Sequence, residues 1–231
     1  MATHLLTGAG SGIGAAVAQS LHDRGDDLVL LARNEERASA LTERFPGART
    51  LVADLADVER VDRLEGIPDR LDSLLHVAGV VELATVAETR TDRLREQIDV
   101  NLVSPLLLTR ACLPALRAAR GVVVFVNSSA GLQAGSLWAA YGASKYGLRA
   151  LADALRAEEM ENGVRVTTLF PSRTATPMQE KVHEQEGRTY DSSRWISPGT
   201  VAGTLLHVLD LPADATIPEV TVRPVVPWTP R

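Results

Sequence analysis

Tyr141 and Lys145 are the pair in this chain best suited to moving a proton. On a helix, side chains four positions apart share one face, about one turn from each other. A phenol, with an ordinary pKa of about 10, is a poor base at neutral pH but a usable acid. A neighbouring ammonium stabilises the phenolate and draws that pKa toward the working range, so Lys145 is expected to lower the pKa of Tyr141. The chain holds three Tyr and two Lys in 231 residues. A Tyr-x-x-x-Lys spacing is expected by chance in only about 3% of chains with that composition, which makes it informative. Reduction of a carbonyl also needs a hydrogen-bond donor where negative charge develops on oxygen. The run Asn127-Ser-Ser-Ala-Gly131 offers hydroxyls for that task.

The second chemical feature is Thr7-Gly-Ala-Gly-Ser-Gly-Ile-Gly14 near the start of the chain. Glycine tolerates positive φ and lets backbone N–H groups approach an anion closely. A helix N-terminus beginning near Ile13 adds partial positive charge, so Gly8, Gly12 and Gly14 read as a phosphate cradle. The spacing is G-x-x-x-G-x-G rather than the general dinucleotide fingerprint G-x-G-x-x-G. An acidic residue at the end of the second strand would hold the ribose 2′-hydroxyl of NAD. Ala32, Arg33 and Asn34 stand there instead, and Asp26 and Asp27 lie at the wrong end of that strand. A guanidinium suits a 2′-phosphate through paired contacts, so Arg33 makes NADP(H) the expected cofactor over NAD(H).

Elements must place these groups together. Strands are predicted at His4–Leu6, Leu28–Ala32, Arg49–Val52, Ser73–Val77, Gly121–Val126, Val164–Phe170 and Glu219–Val222. Runs such as Val122–Val126 are apolar on both faces, as buried parallel strands are. Helices are predicted near 13–24, 34–44, 91–118, 139–161 and 197–209, with a weaker pattern at 57–69. Strand and helix alternate throughout, which predicts a single α/β domain over 1–231: a doubly wound parallel sheet with helices on both faces. Residues 171–198 read as the longest irregular stretch. They follow a strand's C-terminal end, so a mobile lid over the substrate is expected there.

Bulk properties narrow the partners. The net charge is −5 and no block of basic residues appears, which argues against nucleic acid or an anionic membrane surface. Of the basic residues 22 are Arg and 2 are Lys, so a Lys inside a motif carries more information than an Arg. The lone Cys112 excludes an internal disulfide and a Cys-based metal site, and no metal is expected. It reads as a small buried hydrophobe. No unbroken apolar run reaches about 18 residues, so no membrane span is expected. The first strand begins at Thr3 or His4 and leaves no room for a signal peptide, so a cytoplasmic location is expected.

These motifs together resemble the short-chain dehydrogenase/reductase family over nearly the whole chain. The turn Thr7-Gly8-x-x-x-Gly12-x-Gly14 is similar to that family's cofactor motif, and Asp54-Leu55 is similar to its adenine-contacting pair. Asn101 stands where the family carries its helix-borne active-site Asn. Ser128 precedes Tyr141 by thirteen residues and opens a Ser-x-x-Gly run, which matches the family pattern better than Ser129 does. The resemblance implies a Rossmann-type fold and a catalytic set of Asn101, Ser128, Tyr141 and Lys145. It implies cofactor contacts from Thr7, Gly8, Gly12, Ile13, Gly14, Arg33, Asp54, Leu55, Ala78, Gly79, Tyr141, Lys145, Pro171, Thr174 and Thr176. Three departures stand out. The family's Asn-Asn-Ala-Gly reads His76-Val-Ala-Gly79, where His76 is expected to be structural. Its Pro-Gly reads Pro171-Ser172. The region after Pro177 is shorter than usual.

The implied reaction interconverts a small-molecule carbonyl, ketone or aldehyde, with its alcohol. Leu132, Gln133, Leu137, Trp138, Met178, Val182 and Trp195 are candidates for the pocket wall, and they suggest a small or medium apolar substrate. Two alternatives are an NAD-linked alcohol dehydrogenase of the same family and a nucleotide-sensing regulator without catalysis. The family resemblance also implies a homodimer or homotetramer, formed through the helices near 91–118 and 139–161.

Overall fold

Every predicted strand forms in the computed structural model, which describes residues 1–225. The strands are β1 (Thr3–Thr7), β2 (Asp27–Ala32), β3 (Arg49–Val52), β4 (Ser73–His76), β5 (Val122–Val126), β6 (Arg165–Pro171) and β7 (Glu219–Val222). They build one parallel sheet in the order β3-β2-β1-β4-β5-β6-β7. The chain winds outward from β1 to β3, then returns to β4 on the other side of β1. A crevice for a ligand opens at the C-terminal ends of the strands where the winding reverses.

Successive residues on a strand face opposite sides of the sheet. Leu6, Leu75 and Val124 join one apolar layer with Val17, Leu21 and Leu205. Their neighbours Leu5, Leu74 and Val123 join another with Leu108, Leu116 and Leu148. Both faces are therefore covered, which is why the strands read as continuous apolar runs. The first layer is closed by α1 (Gly12–Asp23), α2 (Glu35–Arg44) and α8 (Pro198–Leu209). The second is closed by α5 (Ser104–Ala119) and α6 (Ala139–Glu159). Cys112 is fully buried in the second layer, where burial pushes its thiol up to about 12.

Local chemistry sets the helix starts. Asn34 accepts the Arg37 N–H to cap α2, and Ser197 accepts the Thr200 N–H to cap α8 ahead of Pro198. The weak pattern at 57–69 yields only the short α3 (Val58–Asp62). The predicted helix at 91–118 is α4 (Thr91–Ile98) and α5 joined by a π-helical turn, Asp99–Val103. The expected irregular stretch after Pro171 contains α7 (Pro177–Gln185), which the sequence reading missed. Thr176 caps it through the Gln179 N–H, and Pro177 occupies its first turn.

The passage Thr91–Ala119 contains an 18-residue stretch of mean hydropathy 1.3, long and apolar enough to cross a membrane, although no unbroken apolar run is that long. Its buried polar side chains are satisfied inside the fold. Asn101 is bonded to Val80, the Ser104 hydroxyl donates to the Leu55 carbonyl, and Thr109 is paired with His76. Such pairing is what a helix packed on a sheet requires.

Candidate active site

Ser128 lies two residues beyond β5, in the extended residue that caps the 3-10 turn Ser129–Gly131. Asn127 fixes this corner. Its Nδ2 donates to the Lys145 carbonyl at 2.9 Å, and its Oδ1 accepts the Ser128 N–H at 2.8 Å. The corner is thereby tied to α6, the helix that carries Tyr141 and Lys145 on one face. The Ala130 N–H donates to the Ser128 hydroxyl at 3.1 Å.

Tyr141 and Lys145 are both buried. Lys145 Nζ donates to the Val126 carbonyl at 3.2 Å and stands 5.7 Å from the centre of the Tyr141 ring. Burial pushes the phenol up to about 12, with the Ser128 hydroxyl pulling the other way. Burial pushes the ammonium down to about 8. The expected lowering of the tyrosine by its lysine is therefore absent from this arrangement. Desolvation of the phenolate dominates, with only the Ser128 hydroxyl opposing it. At neutral pH Tyr141 is a phenol, an acid ready to donate.

Asn101 occupies the π-helical turn, which interrupts the i to i−4 ladder between α4 and α5. Its Oδ1 accepts the Val80 N–H at 2.9 Å. Its Nδ2 donates to the Val80 carbonyl at 2.9 Å and to the Ser144 hydroxyl at 3.0 Å. The side chain thus fastens the irregular segment following β4 to α6. A Cβ at Gly79 would stand 3.1 Å from Asn101 Oδ1 and 3.6 Å from Lys145 Nζ, so a side chain there would crowd both groups.

The glycine turn meets the needs of a phosphate ligand. Gly8 has φ +80°, and a Cβ on it would lie 2.8 Å from the Ala78 nitrogen. A Cβ on Gly14 would lie 2.1 Å from the Gly8 carbonyl oxygen, so no larger residue fits while α1 starts here. Ser11, at the start of α1, makes no side-chain capping bond, and the first turn holds no acidic residue. The N–H groups there are left for an external acceptor, which is the arrangement that holds a phosphate. The residues present therefore fit a dinucleotide.

One cleft of about 820 Å³ joins the two ends of the site. Gly8, Gly12, Ile13, Gly14, Ala78, Gly79, Ser128, Tyr141, Lys145, Pro171, Thr174 and Thr176 line it. The remaining predicted residues lie elsewhere. Thr7 accepts the Val77 and Ala78 N–H groups at 3.0 and 3.1 Å and so braces the end of β4. Arg33 and Asp54 are exposed, and Asp54 accepts the Ala56 N–H in its own turn. Leu55 is packed against the apolar layer below. Asn101 acts from behind Gly79.

His76 is buried, stacked on Phe125 at 4.9 Å and paired with the Thr109 hydroxyl at 2.8 Å. Burial, reinforced by the Lys145 charge, pushes it down to about 3, so it stays neutral as a structural residue should. Of the expected wall residues, Gln133, Trp138, Met178, Val182 and Trp195 line the cleft, whereas Leu132 and Leu137 do not. The carbonyls of those two leucines accept from Tyr146 and Ala84. The sequence reading missed Ser11, Val81, Arg173, Gln179 and Arg223, all of which line the cleft. Thr176 as a helix cap before Pro177 was the legible signal for Gln179. Arg223 had none, because only the pairing of β7 with β6 puts it there.

The short chain dehydrogenase family model matches residues 2–187. The chain belongs to the short chain dehydrogenase family. It is an oxidoreductase by that membership, and similar proteins agree. An uncharacterized oxidoreductase of Staphylococcus epidermidis is 29% identical over 227 residues, with 96% of each chain covered. A short-chain dehydrogenase from Streptomyces avermitilis superimposes with a TM-score of 0.81 at 26% identity, over 96% of this chain and 87% of that one. A short chain dehydrogenase structure from Escherichia coli CFT073, complexed with NADPH, gives a TM-score of 0.84 at 27% identity, with 95% of each chain covered.

Proposed function

We propose that this short chain dehydrogenase is an NADP(H)-dependent enzyme that interconverts a carbonyl compound and its alcohol, with Tyr141 as the general acid and base. The observation that carries the reading is the single cleft shared by the uncapped start of α1 and the Ser128, Tyr141 and Lys145 group. A bound nicotinamide would supply or accept the hydride. Gly8, Gly12 and the first N–H groups of α1 would hold its phosphates. Ser128 would hold the substrate oxygen, and Tyr141 would give it a proton during reduction or remove one during oxidation. Lys145 would bind the nicotinamide ribose, and Asn101 would steady the segment after β4 and the helix that frame it. Arg33, exposed at the end of β2, would meet the 2′-phosphate.

The NADPH carried by the Escherichia coli relative supports the cofactor assignment. A homodimer or homotetramer through α4, α5 and α6 goes with this reading, and Leu94, Leu106 and Tyr146 are exposed on those helices. Titration with NADPH and NADH, followed by quenching of tryptophan fluorescence, tests it, since Trp138 and Trp195 line the cleft. Tight NADPH and weak NADH binding is expected. The reverse preference would make the enzyme NAD-linked, and no binding of either would point to a chain that has left catalysis.

A further inference from the structure

The charges around the cleft are one-sided. The chain carries a net charge of −5, yet no carboxylate appears among the described residues that line the cleft. Its charged lining consists of Lys145, Arg173 and Arg223. Lys145 is buried and bonded to the Val126 carbonyl. Arg173 is committed to Glu186, with bonds of 2.9 and 2.6 Å. Arg223 is exposed and makes no hydrogen bond or ion pair with another described residue. Among the described residues, this guanidinium at the rim of the cleft is the one charged group there that no other residue engages.

The sheet fixes where Arg223 stands. β7 pairs in parallel with β6, with Pro171 opposite Val222, and the Ser172 N–H donates to the Val222 carbonyl at 2.9 Å. Arg223 therefore comes abreast of Ser172 at the C-terminal edge. Strands lie about 4.8 Å apart, so the backbone of Arg223 is roughly 10 Å from the end of β5, where Ser128 begins. The phosphate-holding turn follows β1, four strands away and roughly 19 Å across the sheet. Arg223 thus belongs to the reacting end of the cleft rather than the phosphate end. Beside Tyr141 the cleft has an apolar wall of Val81, Ala130, Val182 and Trp138.

Resting on the carbonyl–alcohol reading above, we propose that Arg223 selects the substrate and that the substrate is an oxo acid, a short carbonyl compound bearing a carboxylate. The carboxylate is held by the Arg223 guanidinium at the rim, the alkyl part lies along the apolar wall, and the carbonyl oxygen meets Ser128 and Tyr141. The carboxylate makes and breaks no bond. In reduction the carbonyl carbon gains a hydride from the reduced nicotinamide dinucleotide. The π bond to oxygen opens, and the oxygen takes the Tyr141 proton, which solvent replaces. The product is the hydroxy acid. A cleft without competing carboxylates concentrates such an anion, and the preference weakens as salt screens the charge.

The test compares pyruvate, acetoacetate and levulinate with their methyl esters, using NADPH and both wild-type and R223Q protein. An acid-over-ester preference in kcat/KM of roughly tenfold is expected for the chain length that fits, falling toward one in R223Q and partly kept in R223K. Calorimetric titration of the same acids into the protein loaded with NADP+ gives a readout independent of turnover. Acids that bind the wild type but not R223Q, without being reduced, would uphold the anion site and sink the reductase reading. Acids and esters reduced equally well, with R223Q unaltered in preference, would overturn the anion site and leave the reductase standing. A rise in the KM for NADPH with the acid-to-ester ratio unchanged would reassign Arg223 to the cofactor. Acids neither bound nor reduced would also overturn the proposal.

Discussion

Lys145 Nζ donates to the carbonyl of Val126 and faces the Tyr141 ring from 5.7 Å. The lysine therefore reaches β5, not the phenol. Tyr141 keeps its proton because burial disfavours the phenolate, and removing the hydroxyl removes only the acid. Tyr141→Phe is expected to bind NADPH as the wild type does while turnover falls by about 10²–10⁴-fold. Stopped-flow turnover beside a binding titration checks both halves.

The same burial predicts opposite pH profiles for the two directions. In the proposed reaction, reduction uses the phenol, whose pKa is pushed up to about 12, so its rate should not fall between pH 7 and 10 on account of Tyr141. Oxidation needs the phenolate, which rises about tenfold per pH unit below that pKa. Initial rates in both directions across this range are the measurement. A reduction rate that halves near pH 8 would show the phenol titrating far lower once ligands are bound.

Lys145 carries a stability consequence of definite sign. Its folded pKa, lowered to about 8 by burial, lies below the ordinary 10.5. The unfolded chain binds more protons than the folded one between those values, so folding becomes more favourable as pH rises from 8 toward 10.5. The wild type should gain stability relative to Lys145→Met over that window. Urea denaturation of both proteins at pH 7.5, 9 and 10 reads the difference, and parallel curves would refute it.

Arg173 and Glu186 clamp the base of the segment over the cleft. Their side chains are 14% and 10% exposed, and Ile196 bonds to the backbone at both Arg173 and Ala175 beside them. The expected mobile lid is thus pinned where it leaves β6 and again just before it enters α8. Glu186→Gln leaves a mostly buried guanidinium short of its counter-charge and should cost about 3 kcal/mol. Amide exchange should quicken across residues 176–195 more than in the sheet, and thermal unfolding should begin earlier. Uniform exchange with an unchanged Tm would show that the pair holds nothing.

Arg33 offers the simplest switch. Arg33→Asp replaces a cation with an acceptor suited to a ribose hydroxyl. The KM for NADPH should rise by roughly tenfold or more while that for NADH falls, the size of a lost charged contact. Steady-state kinetics with both cofactors decide it, and an unchanged ratio would remove Arg33 from cofactor choice.

The amino-acid sequence by itself determined the sheet, the glycine turn before α1 and the pairing of Tyr141 with Lys145 on one helix face. Each is encoded within a few residues. Apolar runs specify buried strands, Gly8 and Gly14 answer close backbone contacts, and Tyr141 and Lys145 share a face by helical spacing alone. What depends on residues far apart in the chain had to wait for the tertiary structure. Asn101 sits in a π-helical break that no local pattern marks, and it binds Val80 and Ser144 rather than the lysine. The pKa directions of Tyr141 and Lys145 follow from how completely the surrounding elements exclude water. Helix α7 has weak amphipathic character and is held by Arg173, Glu186 and Ile196, so it read as a loop. Arg223 becomes part of the cleft only through the register of β7 on β6. Parallel pairing joins segments about fifty residues apart, and nothing near Arg223 in the chain records which neighbour it will have.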